Sequence, residues 1–266
     1  MNTPDRDGLY RRFVRAVEAA ELSAGPDDLA RVTEDDLAGF PEVVQRYLRF
    51  MGVVDQPRDW SFRARFVGRF RLRPRVGWMP AEAWQYNTSL GIARIFVMRL
   101  RFAGIVPMVG SDTYLDGRGR MLGKLLDRIV VADGQGLEFD IGELTTYLND
   151  AVLMAPSMLL SLATSWNAVD NGSFDVSLTD AGRTVTARVF VDERGAPYDF
   201  STTDRYADLP GGTVQAEWRT PVRGWELIHG RALPGRIEAV WQLPGGPLPY
   251  FTGQLGYLTR NVPPGS

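Results

Sequence analysis

Residues 60–73 read W-S-F-R-A-R-F-V-G-R-F-R-L-R. Trp60, Phe62, Ala64, Phe66, Phe70 and Leu72 alternate with Ser61, Arg63, Arg65, Arg69 and Arg71, and only Val67 is out of place. Period two over such a run describes a half-buried antiparallel strand, apolar toward a core and polar toward water. At ~3.3 Å per residue the run would span ~43 Å, which predicts strong curvature with Gly68 as the bend. Pleating then buries Phe62, Phe66 and Phe70 and exposes Arg63, Arg65 and Arg69. A nucleic-acid grip would interleave aromatics and cations on one face, whereas here they occupy opposite faces. The formal net charge of −2 supplies no field toward polyanions. No nucleic-acid partner is expected.

The chain around this strand alternates in the same way. Strands are predicted at W-Q-Y-N-T near residue 86 and at I-A-R-I-F-V-M-R-L-R-F over 92–102. S-D-T-Y-L and R-M-L-G-K flank D-G-R-G at 116–119, which is hairpin chemistry. After Trp166 the turns recur every eight to twelve residues, the mark of a long antiparallel meander. Two helical passages interrupt this pattern. Leu9, Phe13, Val17 and Ala20 fall at helical spacing, and Pro41 suits the first turn of a second helix carrying Val44, Tyr47, Leu48 and Met51 on one face. Centrally, D-I-G-E places Asp140 three before Glu143 like a capping box, and Ile141, Leu144, Leu148 and Val152 share a face until Pro156. S-M-L-L-S-L-A after it is apolar nearly all round and should be buried.

The predicted architecture is α+β: a large curved antiparallel sheet, a half-barrel, wrapped around central helices packed on its concave face. Residues 1–38 form an N-terminal helical segment, and 39–266 the sheet domain with a central helix at about 141–163. A hydrophobic content of 44% suffices for a substantial core.

Most standard chemistries are excluded by inspection. There is no cysteine, and the lone histidine makes a zinc site untenable. G-R-G-R-M-L-G-K ends like a phosphate loop, but Leu125 stands where a magnesium-binding hydroxyl is needed. No G-x-G-x-x-G opens a helix and no G-x-S-x-G is present, so neither a nucleotide cofactor nor a hydrolase elbow is expected. No cofactor of any kind is predicted. The amino terminus lacks the apolar core of a signal peptide and no window resembles a membrane span, so a soluble cytoplasmic protein without an integral membrane segment is expected.

What remains is a set of polar groups among aromatics. Asp112 and Tyr114 lie two apart on a strand, as do Trp84 and Tyr86, and Tyr147 and Asp150 are neighbours on the central helix. Strands carrying Trp84, Tyr86, Met98, Asp112, Tyr114 and Trp241 are expected to face the helix across a cavity. Asp112 and Asp150 are the candidates for proton transfer, Tyr114 and Tyr147 for orienting hydrogen bonds, and His229, the only imidazole, is a reserve base. Lys124, the only lysine, is read as a surface charge.

F-P-E-V-V-Q-R-Y-L at 40–48, W-M-P-A-E-A-W-Q at 78–85, S-D-T-Y-L-D-G-R-G-R-M at 111–121, G-E-L-T-T-Y-L-N-D at 142–150 and R-I-E-A-V-W-Q-L-P-G-G-P-L-P-Y at 236–250 carry a resemblance. In order and spacing they resemble a bacterial family of unknown function, common in actinobacteria and bacilli, over about residues 38–262. The resemblance implies a half-barrel similar to lipoprotein-carrier folds and no established activity. It also implies an arginine where Thr146 stands and a glutamate where Asp150 stands, so this chain lacks that ion pair on its central helix. Two functions are compatible with these features. One is a cofactor-free cyclase or isomerase of specialised metabolism acting on a polyketide-, isoprenoid- or lipid-like substrate; the other is a non-catalytic carrier or sensor for such a ligand.

Overall fold

The computed structural model describes residues 8–72, 77–102, 106–126, 128–209 and 212–266, so Arg73 of the opening pattern lies outside the described residues. Helices α1 (Gly8–Ala19), α2 (Glu34–Leu37) and α3 (Glu42–Phe50) come first. Strands β1 (Ser61–Phe70), β2 (Met79–Thr88), β3 (Ala93–Phe102), β4 (Val106–Leu115), β5 (Arg118–Leu125) and β6 (Ile129–Gln135) form an antiparallel meander. Helix α4 (Leu137–Met154) and a short 3₁₀ turn, Pro156–Ser161, then lead to β7 (Thr164–Asp170), β8 (Ser173–Asp180), β9 (Arg183–Val191) and β10 (Pro197–Thr202). A two-stranded hairpin, β11 (Tyr206–Leu209) and β12 (Gly212–Gln215), stands apart from the main sheet. Strands β13 (Glu217–Arg219), β14 (Val222–Ile228), β15 (Arg231–Leu243) and β16 (Gly246–Arg260) complete the chain.

One open 14-stranded sheet results, in the order β6-β5-β4-β3-β2-β1-β16-β15-β13-β10-β9-β8-β7, with β14 added to β15. The opening stretch is its middle. Ten residues of it pair with β2 on one side and nine with β16 on the other. The irregularity lies opposite Arg65 and Phe66, where β16 carries the extra residue Gly256, while the pairing with β2 runs unbroken through Gly68. A side chain at Gly68 would collide with the Thr252 carbonyl, so this glycine permits close approach of the backbones rather than a break.

Antiparallel partners share a face, and the registers give the rows of the concave wall directly. One row is Leu258, Ala64, Gln85, Phe96, Asp112 and Met121; the next is Phe66, Ala83, Met98, Gly110 and Gly123. Helix α4 lies across this wall. Leu144, Tyr147, Leu148, Ala151 and Val152 are fully buried in the concave core, and Tyr47 of α3 donates its hydroxyl to the Val152 carbonyl at 2.8 Å. The helix begins four residues earlier than the capping-box pattern suggests. Gly136 precedes it, and Asp140 sits inside the first turn, accepting from the Gly119 amide at 2.8 Å and from Arg183 at 2.8 Å.

The convex face differs from its predicted form. Instead of packing inside, α1 lies outside, setting Leu9, Phe13 and Val17 against Trp84, Tyr86, Ile95 and Val97. The arginine ladder is therefore not uniformly solvated. Arg63 is buried beneath α1, donating to Tyr10 and Ser266, Arg65 is half-buried against Glu82 at 2.6 Å, and Arg69 is exposed. Phe62 and Phe66 are buried and Phe70 half-buried, as their alternation predicts.

The open sheet is drawn together at one end. The Asp116-Gly117 turn of β4–β5 has positive φ at both residues, and Arg183 of the β8–β9 hairpin donates to the Gly117 carbonyl at 3.0 Å. Tyr114 donates to Asp180 at 2.7 Å across the same gap. The opposite end, where Phe70, Met108, Trp241 and Tyr250 are only half-buried, has no such clasp among the described residues.

If α1 is an integral layer, Phe13→Ala should cost about 3–5 kcal/mol, as for other large-to-small core changes. Arg69→Ala should stay within about 0.5 kcal/mol. Urea unfolding monitored by Trp fluorescence measures both, and a neutral Phe13→Ala would show that α1 only rests on the sheet.

Candidate functional site

Arg94 organises the polar centre of the concave face. It stands in a strand segment, Ile92 to Met98, apolar on both sides, and its side chain is 5% exposed. Its guanidinium donates to Glu143 at 2.8 Å and to Asp150 at 2.8 Å, residues seven apart and hence on one face of α4. Gln85 adds a 2.6 Å bond to Asp150 and a 2.9 Å bond to Asn87. Burial works against the Arg94 charge, but Asp150, Glu143 and Asp112 outweigh it and hold the guanidinium charged. Burial pushes the Glu143 carboxyl up to about 7 despite the opposing pull of Arg94. Asp150 is raised for the same reason, with Arg94 again opposing.

Asp112 is different. It lies in the same concave row, opposite Phe96 and Met121, yet it remains partly exposed and forms no ion pair or hydrogen bond among the described residues. Burial raises its pKa, with Arg94 and Arg205 pulling it back. A carboxyl with a free oxygen, a raised pKa and access to the groove can exchange a proton or hydrogen-bond a ligand.

From Asp112 an aromatic and apolar rim can be followed round the open end. Phe96 and Met98 continue along β3, Phe70 meets Tyr250 edge-on at 5.6 Å, and Tyr250 stacks on Trp241 at 6.2 Å. Trp218, paired with Trp241, donates its indole N–H to the Tyr250 hydroxyl at 2.9 Å. Arg205 lies over Trp218 at 4.2 Å and over Trp241 at 5.5 Å, and its field returns the path to Asp112. Inside this rim sits Gly110, where an added Cβ would meet nothing within 4 Å. The concave face is thus incompletely covered at this end, leaving a half-exposed apolar strip, and solid core at the other. Two shallow depressions of about 150 and 210 Å³ lie on the convex face beside Val67 and Gly68 and share none of these residues.

Of the residues singled out in the sequence, Asp112, Met98 and Trp241 are brought to this groove. Trp84 and Tyr86 are not: they point to the convex face beneath α1, and the Tyr86 hydroxyl donates to the Val262 carbonyl at 2.9 Å. They follow Ala83 and Gln85 by one residue, which inverts the face. Tyr114 and Tyr147 are inward but fully buried, committed to Asp180 and to the Thr88 carbonyl at 3.1 Å. Burial holds both phenols above the ordinary tyrosine range. Asp150 is locked by Arg94 and Gln85. His229 is exposed in the β14–β15 turn with φ 49, outside the groove. The sequence reading missed Arg94, Glu143 and Arg205; its signal for Arg94 was a single charge at an inward position of a strand apolar on both faces.

A family model described as "Family of unknown function (DUF6544)" matches residues 30–253. The chain belongs to this family. No curated protein sequence matches it. Similar solved structures include a LolA superfamily protein from Nitrosomonas europaea, at TM-score 0.42 and 11% identity over 82% of this chain and 91% of the other. A putative outer membrane lipoprotein-sorting protein domain from Vibrio parahaemolyticus has TM-score 0.42 and 10% identity over 82% and 91%. A DUF1329 family protein from Desulfovibrio piger has TM-score 0.42 and 9% identity over 83% and 90%. Among the described residues, no helix is long and apolar enough to cross a membrane.

Removing Arg94 would leave two buried carboxyls facing each other without a cation. Arg94→Met should therefore cost about 3–5 kcal/mol at neutral pH, read from urea unfolding. The Glu143 value has its own consequence. Between the ordinary glutamate value of 4.5 and about 7, the folded state binds more protons than the unfolded state at this site. Its contribution is fully present below 4.5 and is lost as pH rises toward 7, by up to about 3 kcal/mol. Glu143→Gln should flatten the stability profile over that window; parallel profiles for the two proteins would show that the carboxyl stays ionised throughout.

Proposed function

We propose that the concave groove binds an elongated apolar small molecule, entering at the end framed by Phe70, Met108, Trp241 and Tyr250. The observation that carries this reading is the open space at Gly110, inside a rim of half-buried aromatic and apolar side chains. Gly110 is half-buried on the concave face with free space in front of it, and apolar concavities with few polar groups are the usual form of small-molecule sites. The half-barrel supports the groove as a rigid wall, and the Arg183 clasp closes its far end. Carriage or sensing of a lipid-like ligand requires nothing more than this groove.

A second reading rests on Asp112 alone. Cofactor-free cyclisation or isomerisation of a bound polyketide- or isoprenoid-like substrate needs a proton donor touching it, and Asp112 is the unpaired carboxyl on the groove. Asp150 is held by its ion pair and His229 is on the surface, so neither supports this reading as Asp112 does. The binding reading is preferred because it uses only the groove.

Gly110→Trp tests it, because the indole has room at its Cβ and would fill the groove without displacing core. Binding of the neutral fluorophore N-phenyl-1-naphthylamine should weaken by about tenfold or more, while stability changes within about 1 kcal/mol. Equal binding to both proteins would remove the groove from consideration.

A further inference from the structure

Arginines with a buried, unpaired side-chain nitrogen recur in this protein: Arg46, Arg58, Arg63, Arg71, Arg219, Arg231 and Arg260 each have one. Each of them nonetheless satisfies another guanidinium nitrogen on a carbonyl, hydroxyl or carboxylate. Arg205 also has a buried unpaired Nε, and among the described residues it alone of this set makes no side-chain hydrogen bond or ion pair. What holds it is stacking. Its guanidinium carbon lies 4.2 Å from the Trp218 ring centre and 5.5 Å from that of Trp241. On the α4 side, Gly142 presents no side chain where its Nε passes.

Stacking uses the face of a guanidinium and leaves its N–H donors in the plane, unconsumed. Its Nε is buried without an acceptor, and its half-exposed terminal nitrogens are bound to no protein group among the described residues, so an incoming acceptor can take these donors without displacing a protein bond. Just inside the rim is Asp112, also unpaired. Arg205 heads the β11–β12 hairpin, whose base is tied to α4 by the bond from the Thr145 hydroxyl to the Asp204 carbonyl at 2.9 Å. The cation is therefore held in place rather than swinging freely.

We infer that Arg205 is the anchor for an anionic head group, so that the ligand of the groove is a long-chain monocarboxylate whose carboxylate accepts in-plane N–H bonds from Arg205 while its tail lies along Trp241, Tyr250, Phe96 and Met98. This rests on the groove reading given above. Asp112 can join the same head group only in its protonated form, as a hydrogen-bond donor to the carboxylate. Burial raises its pKa in that direction, and a second negative charge beside the ligand would be repelled. A planar carboxylate matches the guanidinium fork, and the stacked indoles fix the plane in which it must approach.

The test compares cis-parinaric acid with its methyl ester, both fluorescent in apolar surroundings, on the wild-type protein and on Arg205→Met. The acid should bind wild type more tightly than the ester and should lose about ten- to a hundredfold in affinity in Arg205→Met. The ester should bind both proteins alike, which also shows that the variant is folded. Acid and ester binding wild type equally, with both indifferent to Arg205→Met, would overturn the anchor while leaving the groove. An equal loss of both probes in Arg205→Met would also overturn it, showing that the side chain only shapes the rim. If neither probe binds wild type and N-phenyl-1-naphthylamine is indifferent to Gly110→Trp, the groove reading itself has failed and the anchor fails with it.

Discussion

The fold depends on one connection. Strands β6 and β7 are the opposite edges of the sheet, yet only α4 and a short 3₁₀ turn join them in sequence. A helix of 18 residues rises ~27 Å, enough to cross the inside of a half-barrel but not to go round it. The helix must therefore lie in the concavity, and the sheet must curve to keep its edges within the helix's reach. Arg94 fixes where it lies. By binding Glu143 and Asp150 two turns apart, a single guanidinium sets both the rotation of α4 and its position along the strands.

Such a buried ion pair adds little net stability compared with an apolar replacement, because desolvating three charges offsets their attraction. Its effect is discrimination. A slip of α4 by one residue would strand two carboxyls in an apolar wall and leave Arg94 facing hydrocarbon. The same bonds remove Asp150 and Glu143 from chemistry with a ligand, since each is already engaged. Asp112, outside the network but within its field, is left as the concave carboxyl free to act.

Much of this was legible in residues 60–73, and the limits of that reading have a physical cause. Period two identified β1 and its faces, and turn chemistry at Asp116-Gly117 located a hairpin. The assumption that failed was that one face of the sheet meets water throughout. Where α1 covers the convex side, Arg63 is buried and Trp84 and Tyr86 are core of a second layer, although in alternation they look like a pocket wall. Residues 92–98 held the corrective, since Ile95 and Val97 make one face apolar while Phe96 and Met98 make the other so. A strand apolar on both faces must be covered on both. Arg205 carried no such sign, because its meaning comes from Trp218 and Trp241, distant in sequence and joined only by strand pairing.

The two ends of the concavity are held by different physics. At the clasped end, Asp140, Arg183, Tyr114 and Asp180 satisfy one another, so the polar groups there are spent on structure. At the open end the aromatic groups are incompletely covered and Arg205 and Asp112 are incompletely satisfied, so apolar area and hydrogen-bonding capacity remain unused in the same place. Apolar surface by itself would favour any greasy molecule in any orientation. Idle donors at the rim make one orientation better than the other, with the polar end beside the indoles and the tail toward Gly110. The groove thereby has a direction as well as a shape.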